Sequence, residues 1–300
     1  MTVIVVGSLN ADLTVQVAAL PRPGETVTGG DLTILPGGKS ANTAAAAARA
    51  GADVCLIGAV GDDGNADILL ASAAKAGVDT SGVRRVPGVP TGTAMIAVDE
   101  KAENTIIVSP GANAHCSVAQ VQDLELSSTD VVCLALEIPI ATVLAVALRA
   151  ADHGATVILN ASPLRAVPHE LLVATSILLV NEGEAEALLG ISAADLADDA
   201  RGADAKLEAH GLQRAIITLG AEGAVVLDPA LTRIPTPTID PVDTTGAGDA
   251  FTGALAAMID AGETLVAAAA FAARYAAATT QKAGAQASYP AVSELATLLS

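Results

Sequence analysis

The stretch Asp243-Thr244-Thr245-Gly246-Ala247-Gly248-Asp249-Ala250-Phe251 has residue types and spacing suited to chemistry. Its two glycines let the backbone turn so that several N–H groups converge at a helix start, beside the positive end of the helix dipole. Such a turn binds anions, phosphate above all. Asp249 falls in the first turn of that helix, where its charge is favoured. An acid beside a phosphate cradle is suited to take the proton from an attacking hydroxyl. The same nine residues also fit a flexible turn with a capping acid, so the assignment needs partners elsewhere in the chain. A dinucleotide fingerprint does not fit. It requires a third glycine where Phe251 stands, and an acid about 20 residues on, near Ala269.

The elements that would position this turn follow from the apolar pattern. Val3-Ile4-Val5-Val6-Gly7 reads as a buried strand, and ligand residues in open α/β sheets leave the C-terminal ends of such strands. Asn10 and Asp12 follow at once, placed either to grip a hydroxylated ligand or to form an Asx turn. Pro36-Gly37-Gly38-Lys39-Ser40-Ala41-Asn42 is a second glycine turn. It leads into a helix over 43–50, with Lys39 and Asn42 on the first turn. It is not a Walker A loop, because Thr33 stands where that motif requires glycine. Strands are expected at Val54 to Val60, Val131 to Leu136, Thr156 to Leu159, Ile177 to Val180, Ala215 to Thr218 and Ala224 to Leu227. Helices are expected within 64–76, Ala141 to Ala151, Glu182 to Leu189 and Ala203 to His210. This alternation predicts a mainly parallel, doubly wound α/β sheet with helices on both faces. Short strands in 13–35, with Thr93 to Val98 and Thr105 to Val108, predict a small separate sheet. Glu137, Asn181 and Thr218 lie at strand ends, and Glu184 and the Gly220–Gly223 hairpin lie close behind. Several polar groups on one sheet edge are hard to attribute to capping alone.

Composition excludes several classes. A net charge of −18 argues against nucleic-acid binding, which needs a basic face. The longest apolar run in the alanine-rich C-terminal region, Leu265 to Ala273, is far short of a membrane span. No basic residue precedes Arg22, so a signal peptide is not evident and a cytoplasmic location is expected. Cys55, Cys116 and Cys133 have no metal-binding spacing and read as reduced thiols. The four histidines are scattered and read as loop or surface residues, so no zinc site is expected.

Two of these motifs, Gly37-Gly38-Lys39-Ser40-Ala41-Asn42 and Asp243 to Phe251, resemble in order and separation the two signatures of the ribokinase family of carbohydrate kinases, also known as the phosphofructokinase-B type. The resemblance covers essentially the whole chain. Gly7 to Asp12, Pro23 to Thr26, Glu103-Asn104 to Asn113, and Leu136 to Pro139 look most like the member that gives the family its name. Ser40 and Thr43 depart from it, standing where those kinases often carry Gly and Gln. The resemblance implies a single ribokinase-like domain over 1–300, with a lid inserted from about 11–35 and 91–108 that also forms a dimer clasp. It implies that Asn10, Asp12, Gly38, Lys39, Asn42 and Glu137 hold the sugar, and that Asp249 is the base. The amides of Gly246, Ala247 and Gly248 would form the anion hole. Asn181 and Glu184 would handle the nucleotide phosphates and Mg2+ through water, and Thr218, Gly220 and Gly223 the nucleotide. Asp243 and Thr245, with backbone groups near Thr279, Lys282, Gly284 and Ser288, would hold an activating monovalent cation such as K+.

Substrate choice follows from what is missing. All four aromatics lie after residue 250, so nothing on the sugar side could stack on a nucleobase. Arg22, Arg84, Arg85 and Lys101 read as exposed turn or linker residues, not as a sugar-phosphate clamp. A neutral pentose fits best: D-ribose, phosphorylated at O5 from ATP. The alternatives are another sugar such as fructose, another ketose or deoxyribose, a nucleoside, or a non-catalytic sugar or nucleotide sensor.

Overall fold

The computed structural model describes residues 2–101, 103–198 and 200–299. Among them, the main sheet runs Ala230–Ile234, Ala224–Asp228, Ala215–Thr218, Ile177–Asn181, Thr156–Asn160, Val131–Ala135, Val3–Val6, Val54–Gly61, Val78–Asp79. Val83–Val86 also pairs with Val54–Gly61. The sheet is parallel except for the first two strands of that order, which join as antiparallel hairpins. Strand Val3–Val6 pairs with Val54–Gly61 on one side and Val131–Ala135 on the other. The winding direction therefore reverses between Val3–Val6 and Val131–Ala135, the place where such folds bind ligands.

The strands are apolar throughout because both faces are covered. Val3, Val5, Val131 and Cys133 point into one core with helices Lys39–Arg49, Gly64–Ala76, Ala247–Asp260 and Leu265–Thr279. Ile4, Val6, Val132 and Leu134 point into the other, with helix Ile140–Asp152. A second sheet orders Thr33–Gly37, Asn10–Gln16, Gly92–Val98 and Asn104–Ser109. This is the small sheet expected from 13–35 and 91–108. Ala102, in the turn joining its last two strands, lies outside the described residues, as do the chain ends Met1 and Ser300 of the expected 1–300 domain.

Several elements depart from expectation. The helix expected at 43–50 spans Lys39–Arg49 and has no side-chain cap of its own. Its first amides are satisfied from distant chain: Lys39 N–H by Glu137, and Ala41 N–H by the Ser8 carbonyl. Strands Val83–Val86 and Ala230–Ile234 and helix Leu265–Thr279 have no sequence-based counterpart. Val83-Arg84-Arg85-Val86 lacks alternation, and the helix is apolar on nearly every side. Arg84 and Arg85 are exposed, but on a strand rather than in a turn. Arg84 donates to the His115 carbonyl, and Arg85 pairs with Asp67 and Asp62.

Candidate active site

The glycine turn at 246 starts helix Ala247–Asp260, with Gly246 at φ 76°, a left-handed conformation that only glycine adopts freely. The Tyr289 hydroxyl donates to the Gly246 carbonyl at 2.9 Å and holds the turn from behind. The Ala247 amide bonds to the Thr244 carbonyl at 3.2 Å, so that donor of the expected anion hole is partly engaged within the loop. Asp249 sits in the first helical turn and is 6% exposed.

Helix Lys39–Arg49 packs along this one, and Asn42 Nδ2 donates to Asp249 Oδ2 at 2.9 Å. Burial pushes the Asp249 carboxyl up to about 6, although Lys39 and the Asn42 amide pull it down; Glu137 adds to the rise. Burial likewise raises Asp12 to about 7, helped by the charges of Glu137 and Asp249. The charges of Glu137 and Asp249 thus act on Asp12, and that of Glu137 on Asp249, so the three carboxylates lie near one another.

Glu137 is fixed there by the Ser8 hydroxyl at 2.5 Å and the Lys39 amide at 3.0 Å. Asn10 Oδ1 accepts from Asn113 Nδ2 at 2.7 Å, while Asn113 Oδ1 accepts the Leu9 amide. The pairing turns the Asn10 amide donors away from Asn113. Gly38 caps helix Lys39–Arg49, next to Lys39.

Beyond Asp249 lies a polar cavity of about 160 Å3, lined by Lys39, Asn160, Asn181, Glu184, Gly246 and Gly248, among others. Asn181 and Glu184 form a reciprocal capping box, each side chain accepting the other's amide at 2.8–2.9 Å. They therefore cap helix Glu182–Leu189 and border the cavity at once. The cavity adjoins, at Thr218 and Gly248, a larger and mainly apolar cleft of about 310 Å3. Gly220 and Gly223 line that cleft with Pro237, Ile239, Phe251 and Ala277.

Asp243 receives the Thr245 amide at 2.9 Å and the Gly284 amide at 2.7 Å. Burial pushes Asp243 up, but these amides outweigh it and hold the carboxyl below its usual value. Thr279 and Ser288 spend their hydroxyls on nearby carbonyls, and Lys282 is exposed.

Most expected site residues therefore fall in the carboxylate cluster, the polar cavity or the apolar cleft; of those expected around Asp243, Thr245 and Gly284 bond to its carboxylate, whereas the Thr279 and Ser288 hydroxyls bond elsewhere. Ser8, Asn113, Asn160, Gln286 and Tyr289 join them unpredicted. Asn160 ends strand Thr156–Asn160, so the strand-end rule that selects Glu137 and Asn181 would have found it. Ser8 and Asn113 lie in the Gly7 to Asp12 and Glu103 to Asn113 segments that carry the resemblance, although the sequence alone assigns them no role; Gln286 and Tyr289 act on another side chain or on backbone, and no local pattern signals that.

A buried carboxylate at a helix start, with two further carboxylates near it and a polar cavity that opens onto an apolar cleft, is the arrangement that suits a phosphotransferase with an alcohol acceptor. The comparisons with known proteins agree. The model of the pfkB family carbohydrate kinases matches residues 2–292. The chain is 36% identical over 292 residues to a ribokinase of Haemophilus influenzae, covering 96% of this chain and 95% of that one. The ribokinase structure from Thermotoga maritima superposes with a TM-score of 0.89 at 31% identity, covering 100% of this chain and 99% of that one. Arabidopsis thaliana ribokinase, solved with ribose and ATP, superposes with a TM-score of 0.88 at 30% identity, covering 99% and 98%. The chain belongs to the pfkB family of carbohydrate kinases.

Proposed function

We propose that this enzyme transfers the γ-phosphoryl group of ATP to O5 of D-ribose, with Asp249 as general base. The observation that carries the assignment is Asp249 itself, buried between the Asp12–Glu137 cluster and the cavity that Gly246, Gly248 and Lys39 line. Asn10, Asp12, Gly38, Lys39, Asn42 and Glu137 would grip the sugar hydroxyls. Asp249 takes the proton of the attacking hydroxyl as its oxygen bonds to the γ-phosphorus and the bond to ADP breaks. The amides of Gly246 and Gly248, joined by that of Ala247 once it leaves the Thr244 carbonyl, would face the charge that spreads over the phosphoryl oxygens, an effect of a few kcal/mol per donor. The adenosine end of ATP suits the apolar cleft at Thr218, Gly220 and Gly223.

Among the described residues no three His, Cys, Asp or Glu side chains converge on a metal position. A Mg2+ here would draw on phosphate oxygens and water, with Asn181 and Glu184 orienting the water, as suits that ion. It would neutralise charge on the phosphates. A single carboxylate, Asp243, beside the Thr245, Thr279, Lys282, Gly284 and Ser288 backbone is a low-charge, all-oxygen donor set. Backbone carbonyls can replace the hydration shell of K+, so such a set would suit a monovalent cation of that kind.

We also assign the small sheet as a lid on a one-domain chain, covered in solution by a second copy. Its outer strand leaves Ile106, Ile107 and Val108 more than half exposed. Three free thiols support a reducing compartment, the cytoplasm, and no described helix is long and apolar enough to cross a membrane.

Asp249→Asn keeps the shape and removes the base. It is expected to keep ribose binding by calorimetry and to lower kcat roughly 10²- to 10⁴-fold. Normal turnover in that variant would remove Asp249 from the mechanism. A coupled assay on ribose, deoxyribose, fructose and adenosine tests the acceptor; activity on any of the others with none on ribose would overturn the substrate.

A further inference from the structure

Asn42 is 5% exposed and touches Asp249, yet its own orientation is set from elsewhere. Its Oδ1 accepts from Gln286 Nε2 at 3.1 Å, and Gln286 Oε1 accepts from the Ser72 hydroxyl at 2.9 Å. Ser72 lies on helix Gly64–Ala76, Gln286 on the 3-10 turn Gln286–Ser288, and Asn42 on helix Lys39–Arg49. Four separate elements, counting the helix of Asp249, are thus linked in one directed chain.

The direction is forced by chemistry. An ionised carboxylate only accepts hydrogen bonds, so Asn42 must turn its NH2 toward Asp249. Its oxygen then faces Gln286, which must turn its own NH2 inward. The Gln286 oxygen faces Ser72, whose hydroxyl can donate. Were Gln286 reversed, two oxygens would meet, and Asn42 would be drawn round to set an oxygen against the carboxylate.

We propose that Gln286, backed by Ser72, is a positioning residue that fixes which end of the Asn42 amide faces the Asp249 carboxylate. Its side chain bonds to Asn42 and Ser72, and it acts through Asn42. A hydrogen bond to the charged form of a carboxyl favours that form, so a correctly turned Asn42 keeps Asp249 ionised. The other charged or titratable groups facing Asp249 are Lys39, which supports the ionised form, and Glu137, Asp12 and Tyr289. None of these takes part in the Ser72–Gln286–Asn42 chain.

The inference rests on Asp249 as the base, and the test separates the two. Gln286→Met keeps length and neutrality but removes the donor; Gln286→Glu keeps the shape and replaces the donor with an acceptor; Ser72→Ala frees Gln286 to reverse. The Asp249 carboxyl is titrated by 13C NMR, assigned with Asp249→Asn, and kcat is followed against pH. The Asp249 midpoint and the acid limb of kcat are expected to rise by about half a pH unit in Gln286→Met and by more than one in Gln286→Glu. Ser72→Ala should move them the same way but less, with KM for ATP unchanged in all three. A variant that unfolds more readily but titrates like the parent would make Gln286 a packing residue and overturn the proposal. A dead Asp249→Asn with unmoved midpoints in all three variants would overturn it while leaving the base assignment intact. A fully active Asp249→Asn would overturn the base assignment, and the NMR midpoints would still decide for or against Gln286.

Discussion

Asp12 and Asp249 hold opposed demands in one volume. Sugar hydroxyls are best held by charged carboxylates, yet burial raises both carboxyls, to about 7 and about 6. A carboxyl whose pKa is higher folded than unfolded binds extra protons in the folded state. Its contribution to stability is full below the ordinary value and is lost as pH rises through the folded value. The ligand-free protein is therefore expected to lose thermal stability between about pH 4 and 7 from these two groups. Ribose affinity should change the opposite way, weakening as pH falls below about 7 and Asp12 takes up its proton. Asp12→Asn separates the effects. At pH 8 it should melt above the parent without ligand and bind ribose at least tenfold more weakly. Scanning calorimetry and titration calorimetry read the two sides, and a variant that melts lower at pH 8 would count against a strained Asp12 carboxylate.

Helices Lys39–Arg49 and Ala247–Asp260 bring Asn42 to Asp249 only because they run unusually close. Gly253 marks the contact. A Cβ there would meet the Thr43 carbonyl, the Ala47 amide and the Ala46 side chain, the last two at 2.7 Å. Glycine to alanine in a helix normally gains about 1 kcal/mol. Here the facing atoms are mostly backbone and cannot turn aside, and overpacking of this kind costs about 1–3 kcal/mol. Gly253→Ala is expected to melt several degrees lower and to lose kcat, because separating the helices lengthens the Asn42–Asp249 bond. A melting point above the parent's would show that the pair has slack.

At the scale of the molecule, the small sheet is the part with the least cover. Register places Ile106 and Val108 on the face of Asp12, and Met95 and Ile107 on the opposite face. Ile106 is 52% exposed and Ile107 59%, an apolar pattern on both sides that usually marks an interface. Ile106→Lys and Ile107→Lys, made singly, should differ in sedimentation velocity. The one on the face a second copy covers would shift the protein toward monomer, and the other would not. If the parent sediments as a monomer, or neither change alters the mass, the clasp assignment falls. With a net charge of −18, any phosphate binding has to be a local achievement of amides and basic side chains rather than of the overall field.

What the sequence determined by itself is local. Glycine turns ahead of helices, apolar runs of strand length and polar residues at strand ends depend on near neighbours in the chain. So the main sheet and the strands of the small sheet could be read directly, and the residues from Asn10 to Asp249 could be singled out as candidates. The full extent of helix Lys39–Arg49 could not, because Glu137 and Ser8 cap it from 98 residues downstream of Lys39 and from the first strand's end. Strand Val83–Val86 has no pattern until Val54–Gly61 pairs with it. Gln286 and Ser72 look like ordinary loop and helix residues until folding sets Ser72 against Gln286 and Gln286 against Asn42. Only the tertiary structure decided which amide faces which carboxylate, because hydrogen-bond direction and burial arise between segments that the chain order keeps far apart.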